Sequence, residues 1–246
     1  MGNARRLTGT ASPTRHHRLM EETQRWLDGI VIGQKLCPFA PPVRSAPQLR
    51  MVVPDATTTT NGDGLDELLE QISAEADLLV EGLLNRQNSM MEGSGSNGVN
   101  HDQSNVDDYQ YPETTLIILD TELYPSLGRE YRNLVQLSWR IQMECIVDRG
   151  HSDHLQLVLF HPLAVHDTYT ERPPASDGNE EQVEDCADYT IRSPHPTIHL
   201  LRQVDVLRAV QSGYADLEGL PSRNKARLRR DGIEICRKRL EGCSVK

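Results

Sequence analysis

Histidine, arginine and serine crowd into one stretch of this chain, YTIRSPHPTIHLLR at 189–202. Ser193 followed by Pro194 is a helix-start signature: the hydroxyl caps free N–H groups, and proline suits the first helical position. The spacing predicts a helix from Ser193 through TIHLLRQ. Its first turn would offer backbone donors and the positive end of the helix dipole. Arg192 lies just before it, and His199 and Arg202, three apart, would share one face. Backbone donors, a dipole and a planar guanidinium are what a phosphate or carboxylate needs. Arg192, Ser193 and Arg202 are therefore candidate anion-holding residues. The alternative is a capped helix whose arginines pair with the protein's own acids.

Two further positions could act on a bound anion. An imidazole titrates near neutral pH, so His161 and His199 are candidate general acid/base groups. Cys37 stands in Leu36-Cys37-Pro38-Phe39. A nucleophilic thiolate wants a positive neighbour or a helix N-terminus. Cys37 instead follows a helix, so it reads as a packed cysteine that becomes reactive only if His161 or His199 folds over it. His195 and His199, four apart, raise a metal reading with His161 or Cys37 as further ligands. The sequence lacks the Glu of an H-E-x-x-H motif, and Pro196 interrupts the pair, so no metal is predicted. His16, His17, His151, His154 and His166 read as surface histidines. There is no P-loop, G-x-G-x-x-G, G-x-S-x-G or EF-hand loop, and the cofactor is unknown.

The elements that must position these groups follow from hydrophobic periodicity. Leu19, Trp26, Leu27, Ile30 and Val31 form a helical stripe over 18–36, stopped by Pro38. LRMVV at 49–53 reads as a strand. Leu65, Leu68, Leu69, Ile72, Leu79, Val80 and Leu83 predict an amphipathic helix over 64–84. TTLIIL at 114–119 is a second strand, 128–147 a third helix, and HLQLVLF at 154–160 a third strand. Alternation of this kind predicts an α/β fold: a small parallel sheet of about three strands, followed by a helical C-terminal part. In that part helices are expected near Ser193, near Asp205 and from Ser222 to about Leu240. Asp55, Asp120 and His161 close the three strands, where open parallel sheets bind ligands. An Asp after a strand also makes turns.

Residues 1–17 read as a disordered tail and 18–246 as a single domain. Two polar stretches, 87–113 and 170–187, read as flexible insertions, since neither could bury enough apolar surface to offset its ordering entropy. The second carries Glu171, Asp177, Glu180, Glu181, Glu184 and Asp185 against Arg172.

Composition narrows the function classes. The 246 residues carry 26 Lys+Arg against 36 Asp+Glu, a formal net charge of −10 with only 4% aromatics. That balance argues against a nucleic-acid partner. The basic stretch from Arg223 to Lys246 reads as a solvated face pairing with the acidic loop, the alternative being contact with RNA. No apolar run approaches the roughly 18 residues of a membrane span. Five irregularly spaced cysteines predict free thiols in a reducing compartment, read as cytoplasmic. The Arg-bearing, acid-free start also fits an organellar transit segment. No oligomeric state is assigned.

Three stretches together, WLDGIVIGQKLCPFA at 26–40, LVLFHP at 157–162 and YTIRSPHPTIHLLR at 189–202, resemble the largely bacterial family called domain of unknown function 1415. PSRN at 221–224 resembles that family's Pro-x-Arg-Asn, which adds Arg223 and Asn224 to the candidate ligand-binding residues. His195 departs from the family pattern, which more usually carries an aromatic such as Tyr. The resemblance implies no reaction. The functional expectation is an enzyme acting on a small anionic metabolite, with His161 or His199 moving a proton, Arg192 and Arg202 holding the anion, and Cys37 as nucleophile or wall. The alternative is a non-catalytic module that binds a ligand or protein in the same pocket.

Overall fold

A computed structural model of the protein describes residues 13–44, 47–55, 64–93, 111–166, 184–211 and 219–245. The elements run α1 (Pro13–Trp26, extended by a π-helical turn Leu27–Ile32), α2 (Ala40–Val43), β1 (Leu49–Val52), α3 (Leu65–Gly93), β2 (Thr114–Ile118) and α4 (Pro125–Arg129). They continue through α5 (Tyr131–Arg140, extended by a π turn Ile141–Val147), β3 (Leu155–Phe160), a 3-10 turn (Cys186–Thr190), β4 (Thr197–Arg202), α6 (Gln203–Gln211), α7 (Leu220–Asp231) and α8 (Ile233–Glu241). The fold is α/β with a helical C-terminal part, as the alternation predicts.

The sheet has four strands in the order β1-β2-β4-β3. β1 and β2 pair in parallel, whereas β4 lies antiparallel between β2 and β3. The three expected strands thus point the same way, but the stretch expected to be a helix from Ser193 is the strand that joins β3 to the others. Thr197–Arg202 alternates, with Ile198 and Leu200 buried on one face and Thr197, His199 and Leu201 on the other. Six residues, half of them apolar and buried on both faces, are too short a pattern for period alone to separate strand from helix. Two other boundaries move. The single helix expected from Ser222 is split at Gly232, whose φ of 87° turns α7 into α8. Helix α3 continues to Gly93, into the first part of the 87–113 stretch.

Each sheet face has its own core. On one, α3 and α5 cover Ile117, Ile198, Leu200 and Leu155 with Leu68, Ile72, Leu79, Leu134 and Ile141. On the other, α1 and its π turn pack Trp26, Leu27, Ile30 and Val31 against Phe160, Leu49, Tyr189 and the C-terminal residues Leu228, Cys236 and Cys243. The end of the acidic 170–187 stretch is built into this second layer: Asp185 pairs with Arg229 at 2.6 Å, and Glu184 pairs with Arg192 and Arg237. Residues 1–12, 94–110 and 167–183, which hold most of the expected tail and insertions, lie outside the described residues. No described helix is long and apolar enough to cross a membrane.

Candidate functional site

Since 193–202 is not a helix, the expected N-terminal anion site is not formed there. Ser193 is buried and its hydroxyl donates to the His195 carbonyl at 2.5 Å. Arg192 is spent on structure: Nε donates to the Ala164 carbonyl at 3.0 Å, Nη1 pairs with Glu184, and the guanidinium lies 4.7 Å from the centre of the Tyr189 ring. On a strand, a spacing of three sends His199 and Arg202 to opposite faces rather than to one.

His161 is equally committed. It is 0% exposed; Nε2 donates to the Leu127 carbonyl at 2.8 Å and Nδ1 accepts the Leu163 N–H at 2.9 Å. With both ring nitrogens used, burial holds it neutral and lowers its pKa. The strand-end acids are also occupied. Asp120, fully buried, accepts from Arg15 at 2.5 and 2.7 Å and from the Glu122 N–H at 2.8 Å, an ion pair on an Asx turn. His195 is bound to Glu22 at 2.7 Å. No group of three metal-ligating side chains occurs among the described residues.

Open space lies against the second face of the sheet. An inner chamber of about 170 Å³ is walled by Trp26, Val31, Phe39, Leu116, Val158 and Phe160, with Cys37, Thr114 and His199 as its polar groups. The register explains the placement: His199 sits opposite Leu116 on β2 and Val158 on β3. Thr114 Oγ1 donates to the Leu200 carbonyl at 2.9 Å, so it receives the Nε2–H of His199 at 2.6 Å. Nδ1 is then a bare lone pair, with no partner among the described residues. Burial pulls the His199 pKa from 6.5 down to about 4, so the ring is neutral at physiological pH. Cys37 shares the chamber without a hydrogen bond to His199. Burial raises its pKa, partly offset by the Phe39 and Ala40 N–H groups facing the sulfur. Those donors come from the start of α2, which the sequence reading, seeing only the preceding helix, missed.

An outer chamber of about 330 Å³ adjoins it, and the two share Phe39, Val43, Thr114 and Leu201. It is rimmed by Glu113, Arg202, Asp205 and Arg208. Arg202 is 1% exposed; Nε donates to Asp205 at 2.5 Å and Nη2 lies 3.8 Å from Glu113. Its Nη1 is buried without a hydrogen-bond partner among the described residues. Most buried donors in folded proteins are paired; of the unpaired buried side-chain atoms among the described residues, this one belongs to a residue that lines the chamber. Of the other candidates, Asn224 donates to the Leu36 carbonyl at 2.7 Å and so braces the backbone beside Cys37, while Arg223 is exposed on α7 and lines neither chamber. The structure thus brings Cys37 and His199 together, places Arg202 next door, and leaves His161, Arg192, Ser193 and Arg223 outside. Glu113, Asp205 and Arg208 are the rim residues that sequence reasoning missed; Asp205 and Arg208, three and six residues past Arg202, could have been found from that spacing.

A third hollow, about 510 Å³, lies between α3 and the second π turn. Three of its acids are held by arginines: Asp77 by Arg149, and Asp66 and Glu144 by Arg140 beside it.

No curated protein and no solved structure shows significant similarity to the chain. The family described as "Protein of unknown function (DUF1415)" matches residues 18–90 and 98–238. That match takes in the sheet, most of both helical layers and every residue of the two chambers, and the chain belongs to this family.

Proposed function

We propose that the double chamber binds a small organic anion, with its charge on Arg202 and its body in the space walled by Cys37 and His199. One observation carries the reading: Arg202, which lines an open chamber, keeps a buried guanidinium nitrogen with no acceptor among the described residues. Leaving a charged donor unpaired is expensive, on the order of 1–3 kcal/mol or more. An anionic acceptor removes that penalty and gains a charge-assisted bond. The five cysteines, all free thiols, support a reducing compartment, read as the cytoplasm.

Turnover is a second reading, favoured by the bare Nδ1 of His199. A neutral imidazole with a free lone pair beside a thiol can accept a proton from Cys37 or from the ligand, which would make the protein an enzyme on the same anion. A low pKa makes it a weak base, so binding stands first.

The test is a thermal-shift titration of the full chain with small carboxylates and phosphate esters. An anion at 100 times its Kd should stabilise the protein by about 2.7 kcal/mol, and Arg202→Gln should abolish the shift. Shifts that persist unchanged in Arg202→Gln would move the anion to another site. The absence of any shift would sink the reading.

A further inference from the structure

We infer, building on the anion-binding reading, that the ligand is a monocarboxylic acid whose body is a single ring or a branched chain of that size, carboxylate on Arg202 and body in the inner chamber. Three features of the double chamber support this.

The first is size. A dry apolar cavity of about 150 Å³ holds one benzene ring. The inner chamber, about 170 Å³ and walled by Trp26, Phe39, Leu116, Val158 and Phe160, is of that size. The two chambers adjoin along Phe39, Val43, Thr114 and Leu201, and we place one molecule across both.

The second is polarity. Thr114 is already spent on Leu200 and His199, which leaves one imidazole nitrogen and a thiol faced by the Phe39 and Ala40 N–H groups as the remaining polar groups of the inner space. Neither carries charge, so an ionised group would lose its hydration there with no counter-charge to replace it. The charged end must therefore sit in the outer chamber.

The third is charge balance. The outer rim pairs Arg202 and Arg208 with Glu113 and Asp205: Arg202 Nε to Asp205 at 2.5 Å, Arg208 Nη1 to Asp205 at 3.1 Å, and Arg202 Nη2 at 3.8 Å from Glu113. Glu113 is further held by Arg86 at 2.9 Å. In a rim so close to neutral, Nη1 of Arg202 is a buried donor with no hydrogen-bond partner among the described residues. A carboxylate brings one negative charge to that donor. A phosphate dianion would bring two against the nearby Asp205 and Glu113, and like charges at such separations repel by kilocalories.

The experiment is calorimetric titration of the full chain with four probes: benzoate, phenyl phosphate, benzyl alcohol and acetate. Benzoate is expected to bind tightest, with each other probe weaker by about tenfold or more. Val158→Phe, which fills the inner chamber, should abolish benzoate binding and leave acetate unchanged. Tighter binding of phenyl phosphate than of benzoate would overturn the carboxylate class and leave the anion site standing. Acetate binding as tightly as benzoate would overturn the ring-sized body and again leave the anion site. Benzyl alcohol matching benzoate would overturn both the inference and the anion reading, as would failure of all four. The wild-type ranking alone decides, even where Val158→Phe does not fold.

Discussion

His161 and His199 each lie beside or within an apolar stretch of sequence, and the structure gives them opposite positions. His161 has both nitrogens hydrogen-bonded inside the protein; His199 has one bonded and one bare in a chamber. His161→Ala should therefore act on stability alone. It orphans the Leu127 carbonyl and the Leu163 N–H and opens a cavity, for a loss of roughly 2–4 kcal/mol in urea unfolding. Anion-induced thermal shifts should survive in it; their disappearance would return His161 to the site. His199 makes its own prediction through pH. Its folded pKa lies near 4, below the ordinary 6.5, so the unfolded chain binds more protons between those values. Stability then falls as pH drops from about 6.5 to 4, by roughly 3 kcal/mol from this one group. The lowered pKa values of buried His161 and half-buried His195 work in the same direction. His199→Gln should show a shallower decline of melting midpoint with acidification, and parallel curves would mean that His199 is not held neutral. Which histidine was structural was not legible in the sequence, because the deciding partners, Leu127 and Thr114, lie 34 and 85 residues away.

At the scale of elements, periodicity located β1, α3, β2, α5 and β3, and the stripe Leu19, Trp26, Leu27, Ile30 and Val31 is buried as expected. What failed was β4. Ser193-Pro194 imitates a helix start, and IHLL satisfies either period, so local chemistry pointed one way while the open edges of β2 and β3 required a strand there. The misread element carries both His199 and Arg202. The candidate residues were thus legible by type, but their mutual geometry was not. The break at Gly232 is a smaller case of the same kind. Its φ of 87° and ψ of 156° belong to a region open almost only to glycine. Nothing lies within 4 Å of an added Cβ, so Gly232→Ala isolates backbone strain from crowding. It should lower the unfolding free energy by about 1–3 kcal/mol, read from the urea midpoint. An unchanged midpoint would mean that α7 and α8 can join as one continuous helix, as the periodicity alone suggests.

Across the whole molecule, a chain of net charge −10 ends in a strongly basic helix pair, and two kinds of interaction hold that pair in place. One is ionic: Arg229 with Asp185 and Arg237 with Glu184, all at least partly solvated. Such pairs contribute about 0–1 kcal/mol each and weaken with salt. The other is apolar: Leu228, Cys236 and Cys243 are buried in the same cluster as Trp26, Leu27 and Val31, which wall the inner chamber. Burial of a leucine contributes roughly 1.5–3 kcal/mol and the two smaller cysteines add to it, so the apolar term should win. Asn224 adds its bond to the Leu36 carbonyl, next to Cys37. Two consequences separate the terms. Raising salt to about 1 M, where the Debye length is about 3 Å, should leave the melting midpoint nearly unmoved. Truncation before Gly219 should instead expose Trp26, seen as a red-shifted emission in a Trp139→Phe background, and abolish anion-induced shifts even where the remaining helices still melt. Steep salt dependence with an unshifted Trp26 would mean that the C-terminal helices are clamped by charge alone and take no part in closing the chamber.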